Sequence, residues 1–544
     1  MIDLSYSKSK TTRLFESFKT FSGINKCQNY IPLYNNFFSL NETNYNSFNL
    51  TNRFRVDKIL ERKTDNVYSC SLIKTQNEED KISKGDIFIK FSPLMDPIKY
   101  ITGRYKIHKH IFDLPKLSNN KCHRKIMDPN NAAYTDGFFY FLSNQLVTDY
   151  SFPNGIKFYG SYLGNKTEYE YDISDDIEYL CDSDEFYKNR DDLFSITNFG
   201  DFFNSETRNY KAKLNISEKS GKISVASAND DMFEGIFKNT EDGGKKDLSD
   251  NLVFQFDIAK KTNSSSSTCS SRSSHTSGSE SESEDDMSEC SSTDSESSIL
   301  IKSKIFNYPV QMICLEKMED TLDNYINEKD MDQDEWKSCL LQIIMSLITY
   351  NKVFDFVHND LHSNNIMYVN TDKKWLYYCY NKTYYKVPTF GKIYKLIDFG
   401  RATFSFKNVK ICSDSFHPKG DAATQYNYGP YYNKDKPILK PNKSFDLCRL
   451  ACSLYDYFND DEEEDPISKL VLGWCKDDKG KNIMYKKNGM ERYPDFKLYK
   501  MIARCVHNHA PEEQLPFFSK FVVSKKKILK KKKIFNIDSL PCSV

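Results

Sequence analysis

Neither sign of charge prevails in this chain. Lys and Arg total 76 of its 544 residues, Asp and Glu also total 76, and the formal net charge is zero. That balance argues against a protein that coats nucleic acid along its whole surface. Long apolar runs are missing too, and none approaches the ~18 residues that a membrane-spanning helix needs. The opening Met1-Ile2-Asp3-Leu4-Ser5 lacks the basic segment followed by an apolar stretch that marks a secretory signal. The 15 cysteines include no Cys-x-x-Cys pair. This favours reduced, mostly buried thiols over disulfides or zinc. These absences predict an intracellular, cytoplasmic protein with no transmembrane segment. Hydrophobic residues (39%) and aromatics (14%) suffice for a sizeable core. The length suits either several domains or one large domain with insertions.

Residues 1–50 are rich in Asn, Ser, Tyr and Phe without a clear period and read as a leader. Short β-like runs follow at 54–60, 67–73 and 86–91. Residues 128–147 read as a helix that starts at Asp128 and Pro129, with Phe138, Phe139, Phe141, Leu142 and Leu146 as its apolar set. Residues 150–260 suggest loops and insertions. Residues 262–298 are a serine tract leading into Ser279-Glu280-Ser281-Glu282-Ser283-Glu284-Asp285-Asp286. Such a stretch has too little apolar surface to offset its ordering entropy, so disorder is expected. A strand is expected at 310–315. A helix is expected at 334–351, where Trp336, Leu340, Ile343, Ile344, Leu347 and Ile348 fall at helical spacing. An aromatic hairpin is expected at 375–387 and a buried helix at 444–458. The remainder to about residue 520 reads as mainly helical, and 523–544 as a basic tail.

Three segments carry chemistry. In His358-Asn359-Asp360-Leu361-His362-Ser363-Asn364-Asn365-Ile366 an aspartate precedes an asparagine by five residues, after an apolar helical run. Further on, Asp398-Phe399-Gly400 follows the strand-like Ile393-Tyr394-Lys395-Leu396-Ile397. One aspartate can orient a hydroxyl nucleophile, while the asparagine and the second aspartate can hold magnesium on phosphates. Lys90 lies in the apolar strand Asp86-Ile87-Phe88-Ile89-Lys90-Phe91.

On these residues the chain resembles the protein-kinase superfamily over roughly residues 50–520. More loosely it resembles the serine/threonine kinases of giant DNA viruses, which share its Asn-, Lys-, Ile- and Tyr-rich composition. The resemblance implies an α+β, bilobal kinase-like fold with long insertions. Residues 51–318 would form a small, mainly β lobe, and residues 319–522 a larger, mainly α lobe. It implies ATP and Mg2+ as cofactors and a protein Ser or Thr hydroxyl as acceptor. Asp360 would be the catalytic base, Asn365 and Asp398 the metal ligands, and Lys90 the lysine that steers the phosphates. Asp136 is the best candidate for the acidic partner of Lys90, with Glu170 as an alternative. Leu60, Val67 and Leu315 would line the nucleotide pocket, and backbone groups of Glu316 and Met318 would bond adenine. Thr424, six residues before Pro430, would hydrogen-bond near Asp360. Asp446 would tie down the backbone of the His358 loop.

The chain also departs from that pattern. Between Leu60 and Val67 runs Glu61-Arg62-Lys63-Thr64-Asp65-Asn66, with no glycine to let backbone amides approach phosphate. Arg62, Lys63 or Thr64 would have to cover the phosphates instead. Asn359 replaces the arginine that usually engages a phosphorylated activation loop, His362 replaces a lysine, and Tyr431 stands where Glu is expected. Two alternatives stay open: a pseudokinase scaffold and a small-molecule phosphotransferase. The basic run from Lys525 to Lys533 could serve an anionic partner or be a solvated terminus.

Overall fold

The computed structural model describes residues 2–197 and 301–542, except residues 3, 5, 9–10, 51–53, 77–78, 106–108, 119–120, 460–464 and 529–531. The serine-rich stretch 262–298 therefore lies outside the described residues. The fold is mixed α+β. Its first half is organised by one antiparallel sheet.

In chain order that half includes α1 (Thr12–Ser22), β1 (Ile24–Gln28), β2 (Phe54–Arg62), β3 (Val67–Gln76), β4 (Glu79–Pro93), α2 (Ala132–Tyr150), β5 (Phe158–Asp172), β6 (Phe194–Thr197) and β7 (Lys302–Glu316), besides shorter helices and a small strand pair. The sheet runs β1-β5-β7-β4-β3-β2, with β6 also pairing to β7. Strand β4 alternates as a sheet with two different faces requires. Ile87 and Ile89 are fully buried and point away from the face that carries Phe88 and Lys90. The register sets Lys90 opposite Ile313, Phe88 opposite Leu315 and Ile87 opposite Glu316.

Helix α2 begins at Ala132, capped by the Asn131 side chain on the Ala133 amide, and not at Asp128. Gly137 on α2 has a packing reason. A Cβ there would run into the buried Gln311 side chain of β7 and push it off its bond to Ser161, so the glycine eases the close approach of α2 to β7.

Residues 1–50 are not a loose leader. Phe18 and Ile24 are fully buried, Ser17 Oγ accepts the Ile59 amide of β2 at 2.9 Å, and β1 pairs with β5. Nor is the start of 150–260 a loop, because the 15-residue β5 lies inside the sheet.

The second half contains α3 (Leu322–Glu328), α4 (Gln333–Phe354), β8 (Ile366–Asn370), β9 (Trp375–Tyr380), β10 (Thr383–Pro388), β11 (Lys392–Leu396), α5 (Phe445–Asn459), α6 (Pro466–Trp474), α7 (Lys497–Cys505), β12 (Val522–Val523) and β13 (Phe535–Asn536). Asp332 caps α4 on two amides, and most of this helix is buried. Strands β8 and β11 pair antiparallel and bracket the aromatic hairpin β9–β10. The hairpin accounts for the long run from Asn365 to Asp398. An aromatic cluster joins the two halves: the Phe139 ring of α2 lies 4.4 Å from Phe356, 4.6 Å from Phe399 and 5.1 Å from Tyr350.

The C-terminal segment is docked and is not a free basic tail. Lys525–Lys527 forms a helical turn, β12 pairs with β10, and β13 pairs in parallel with β9. The Phe535 ring stacks on Phe152 at 4.9 Å. Among the described residues no helix is long and apolar enough to cross a membrane. The Asp538 carboxylate accepts the amides of Asn381 at 2.8 Å and Lys382 at 2.9 Å. Both residues have positive φ (47° and 59°), as a two-residue hairpin turn requires. Asp538→Ala should lower the urea midpoint at constant m-value, a loss of about 1–2 kcal/mol. An unchanged midpoint would show that the C-terminal segment does not pin this hairpin.

Candidate functional site

Lys90 reaches the site from β4 with only 6% of its surface exposed. Its Nζ lies 2.8 Å from Asp136 Oδ2 on α2 and 3.0 Å from Asp398 Oδ1. Glu170, the alternative partner, faces Lys302 and Lys304 elsewhere on the sheet. Asp136 and Tyr140 sit one helical turn apart and both hold the Asp398 segment. Asp136 Oδ1 accepts the Phe399 amide at 2.7 Å, and the Tyr140 hydroxyl accepts the Asp398 amide at 2.9 Å. Asp398 takes a left-handed φ of 62°, a conformation aspartate tolerates better than most residues. The turn sends Phe399 into the aromatic cluster and leaves the Asp398 carboxylate facing Lys90. Burial raises the pKa of Asp136 and Lys90 opposes the rise, while Asp398 reinforces it.

Asp360 and Asn365 lie on the loop after α4. Asp446, near the start of α5, fastens this loop by accepting the amides of His358 and Asn359, each at 2.9 Å. His358 Nε2 bonds the Ile397 carbonyl at 2.9 Å and so ties the loop to the Asp398 turn. Asn359 is fully buried with φ at 65°. Its amide donates to the carbonyls of Val357 and Arg401, and its oxygen accepts the Tyr426 hydroxyl at 2.7 Å. This asparagine is an internal crosslink, and a bulky arginine would not fit its fully enclosed place.

The Asn365 amide donates to the Asp360 carbonyl at 2.9 Å and to His362 Nε2 at 3.0 Å. His362 Nε2 is therefore the acceptor, and the ring proton sits on Nδ1. Burial lowers the His362 pKa to about 4, so the ring is neutral near pH 7. The Asn365 oxygen is left without a hydrogen bond among the described residues. Burial alone would raise the Asp360 pKa, yet it is lowered to about 2 by nearby positive charge. Arg401 contributes most to the lowering, followed by His362, which is protonated in that acid range, Arg449 and the Tyr499 hydroxyl.

Leu315 and Met318 are buried at the end of β7. The Glu316 amide is already donated to the Lys157 carbonyl at 3.0 Å. Its carboxylate accepts Lys395 Nζ at 2.5 Å and the Lys157 amide at 2.8 Å. Among the backbone groups expected to meet adenine, the Glu316 N–H is thus taken. Leu60 and Val67 sit half-buried on β2 and β3, with Val67 paired to Phe88 of β4. The hairpin between them is not a flap of free cations. Arg62 pairs with Asp65 and Lys63 with Asp86, each at 2.6 Å, while Asn66 exchanges bonds with the backbone of Ile89.

Thr424 does not approach Asp360 through its hydroxyl. It is exposed at φ 66°, and its carbonyl accepts Arg504 Nη2 at 2.7 Å. Asp360 Oδ1 instead accepts the Tyr499 hydroxyl of α7 at 2.8 Å, and Arg401 Nη1 lies 3.8 Å from Oδ2. Arg401 was missed in the sequence, although its place directly after Asp398-Phe399-Gly400 could have marked it. Tyr499 and Arg449 carry no motif that would have marked them. The chain matches no protein-family model and no curated protein.

Burial pushes the Asp446 pKa up to about 6, against the pull of His358 and the two amides. A raised folded-state value contributes stability that is complete below the usual 3.8 and is lost as pH rises through about 6. Asp446→Asn removes this titration and one of the two acceptors. Its stability deficit in urea should be larger at about pH 5 than at about pH 8, by up to about 1.4 kcal/mol. A deficit independent of pH would mean that Asp446 does not titrate as a buried acid.

Proposed function

We propose that this protein is an ATP- and magnesium-dependent serine/threonine-protein kinase of bilobal, kinase-like fold. One observation supports this reading above all. Lys90 bridges Asp136 and Asp398 in a buried centre, and the loop of Asp360 and Asn365 is bonded to the residue before Asp398, the Asn365 carbonyl accepting the Ile397 amide at 3.0 Å. Three titratable groups brought together from β4, α2 and the Asp398 turn are costly to bury unless they are paired, and phosphoryl transfer gives each of them a task.

The site suits magnesium and nucleotide by its donor set. Asn365 offers its carbonyl oxygen, because its amide is committed to Asp360 and His362. Asp398 offers Oδ2, because Oδ1 faces Lys90. Oxygens of this kind suit a hard cation that completes its shell with phosphate and water. Among the described residues no group of three or more His, Cys, Asp and Glu could hold a metal by itself. Magnesium-ATP, when bound, supplies the γ-phosphoryl group and its charge neutralisation. Asn365 and Asp398 would hold the metal. Lys90 would steer the phosphates, and Leu60, Val67 and Leu315 would enclose the base. The Met318 amide, which bonds no described residue, would face adenine. Asp360 orients the acceptor hydroxyl and takes its proton, and its lowered pKa keeps it a carboxylate at neutral pH. Catalysis is then mainly positioning and electrostatics.

The glycine-free hairpin with its cations already paired favours the pseudokinase scaffold as the second reading. The two readings part on turnover. Purified protein with radiolabelled ATP, magnesium and generic protein acceptors should label Ser and Thr. Asp360→Ala and Asp398→Ala should lower the rate about a hundredfold or more. A folded wild type without transfer sinks the enzyme reading. Transfer to small molecules alone would replace the protein acceptor.

A further inference from the structure

Asp360 is gripped from two other elements, and the grip is fixed in direction. Tyr499 on α7 lies 2.8 Å from Asp360 Oδ1, and Arg449 Nε on α5 lies 2.8 Å from the same Tyr499 oxygen. Arginine has only donors, so its N–H occupies a lone pair of the phenol oxygen. The phenol proton must then point at Asp360. The ring itself cannot swing away. It stacks on Phe496 at 5.2 Å with the planes 19° apart, and the guanidinium carbons of Arg449 and Arg401 lie 5.1 Å and 5.7 Å from its centre. Arg401 is held in turn by Asp421 at 2.6 Å. Tyr499 is 3% exposed and Asp360 2%. Among the described residues no hydrogen bond reaches the second oxygen of Asp360, and Arg401 Nη1 lies 3.8 Å from it, beyond hydrogen-bond range.

We infer that Tyr499 is a positioning residue for phosphoryl transfer: its hydroxyl holds the Asp360 carboxylate in one orientation, with the lone pairs of Oδ2 left for the acceptor hydroxyl. This inference rests on the kinase reading above. It assigns to α7 the task that the sequence resemblance placed on Thr424. The same helix keeps Thr424 away, since Arg504 of α7 holds the Thr424 carbonyl. A bland reading of Tyr499 as a core aromatic accounts for its ring contacts but not for a hydroxyl aimed at a carboxylate.

Tyr499→Phe keeps the ring contacts and removes only the hydroxyl. It should lower kcat by about tenfold to a hundredfold, the loss expected for one hydrogen bond to a charged group. KM for ATP should stay at the wild-type value, and kcat should fall even at temperatures well below the midpoint, which itself drops by a few degrees because Asp360 Oδ1 and Arg449 Nε lose a partner. Thr424→Ala should turn over at the wild-type rate. Arg449→Met, which frees the direction of the phenol proton, should lower kcat in the same sense and serves if the phenylalanine variant does not fold. A Tyr499→Phe enzyme with wild-type kcat overturns the inference alone, as does a fall in kcat that a thermal shift fully tracks. A folded wild type with no turnover overturns the phosphoryl-transfer reading, and this inference with it.

Discussion

One ammonium group between two carboxylates organises this molecule. Lys90 meets Asp136 at 2.8 Å and Asp398 at 3.0 Å, and all three side chains are buried. Each charge would be expensive to bury alone, and removing one partner leaves the others uncompensated. The three must therefore arrive together. Strand β4 must present Lys90 on the face opposite Ile87 and Ile89. Helix α2 must lie close to β7, which Gly137 permits. The backbone at Asp398 must turn left-handed, which sends its carboxylate one way and Phe399 the other. The aromatic cluster of Phe139, Phe356 and Phe399 is what that turn leaves behind, so packing and site geometry are one arrangement.

A second anchor sets the loop that faces this centre. Asp446 accepts two consecutive backbone amides, and His358 bonds the carbonyl of Ile397, just before Asp398. The loop and the turn are thus registered through bonds from buried side chains to backbone groups. Asn359 adds a third tie through Arg401 and Tyr426. Together these ties hold the loop by hydrogen bonds from within the fold.

Elements whose burial has a period could be read from the chain. Strands β2, β3 and β4, helix α4 and the β9–β10 hairpin followed from alternation or helical spacing. Lys90, Asp360, Asn365 and Asp398 followed from short motifs, and Asp136 from the helix it shares with Phe139. What could not be read has a physical reason in each case. Strand β5 starts with eight consecutive buried residues, so no alternation marks it. Helix α1 and strand β1 are short and depend on contacts with β2 and β5 that lie far along the chain. Thr424 stands at a suggestive distance from Pro430, but its left-handed backbone turns the side chain outward. Tyr499 lies 139 residues from Asp360, and nothing near it in sequence refers to that aspartate. Local pattern announces local structure, whereas a contact made only by tertiary packing leaves no local trace.

The claim that the Lys90 centre is a magnesium-nucleotide site can be tested without any acceptor substrate. Calorimetric titration of ATP into the intact protein, with and without magnesium, reads it directly. The account predicts binding that strengthens with magnesium in the wild type and loses that dependence in Asp398→Asn. No ATP binding by the folded wild type, or binding indifferent to magnesium, would contradict it.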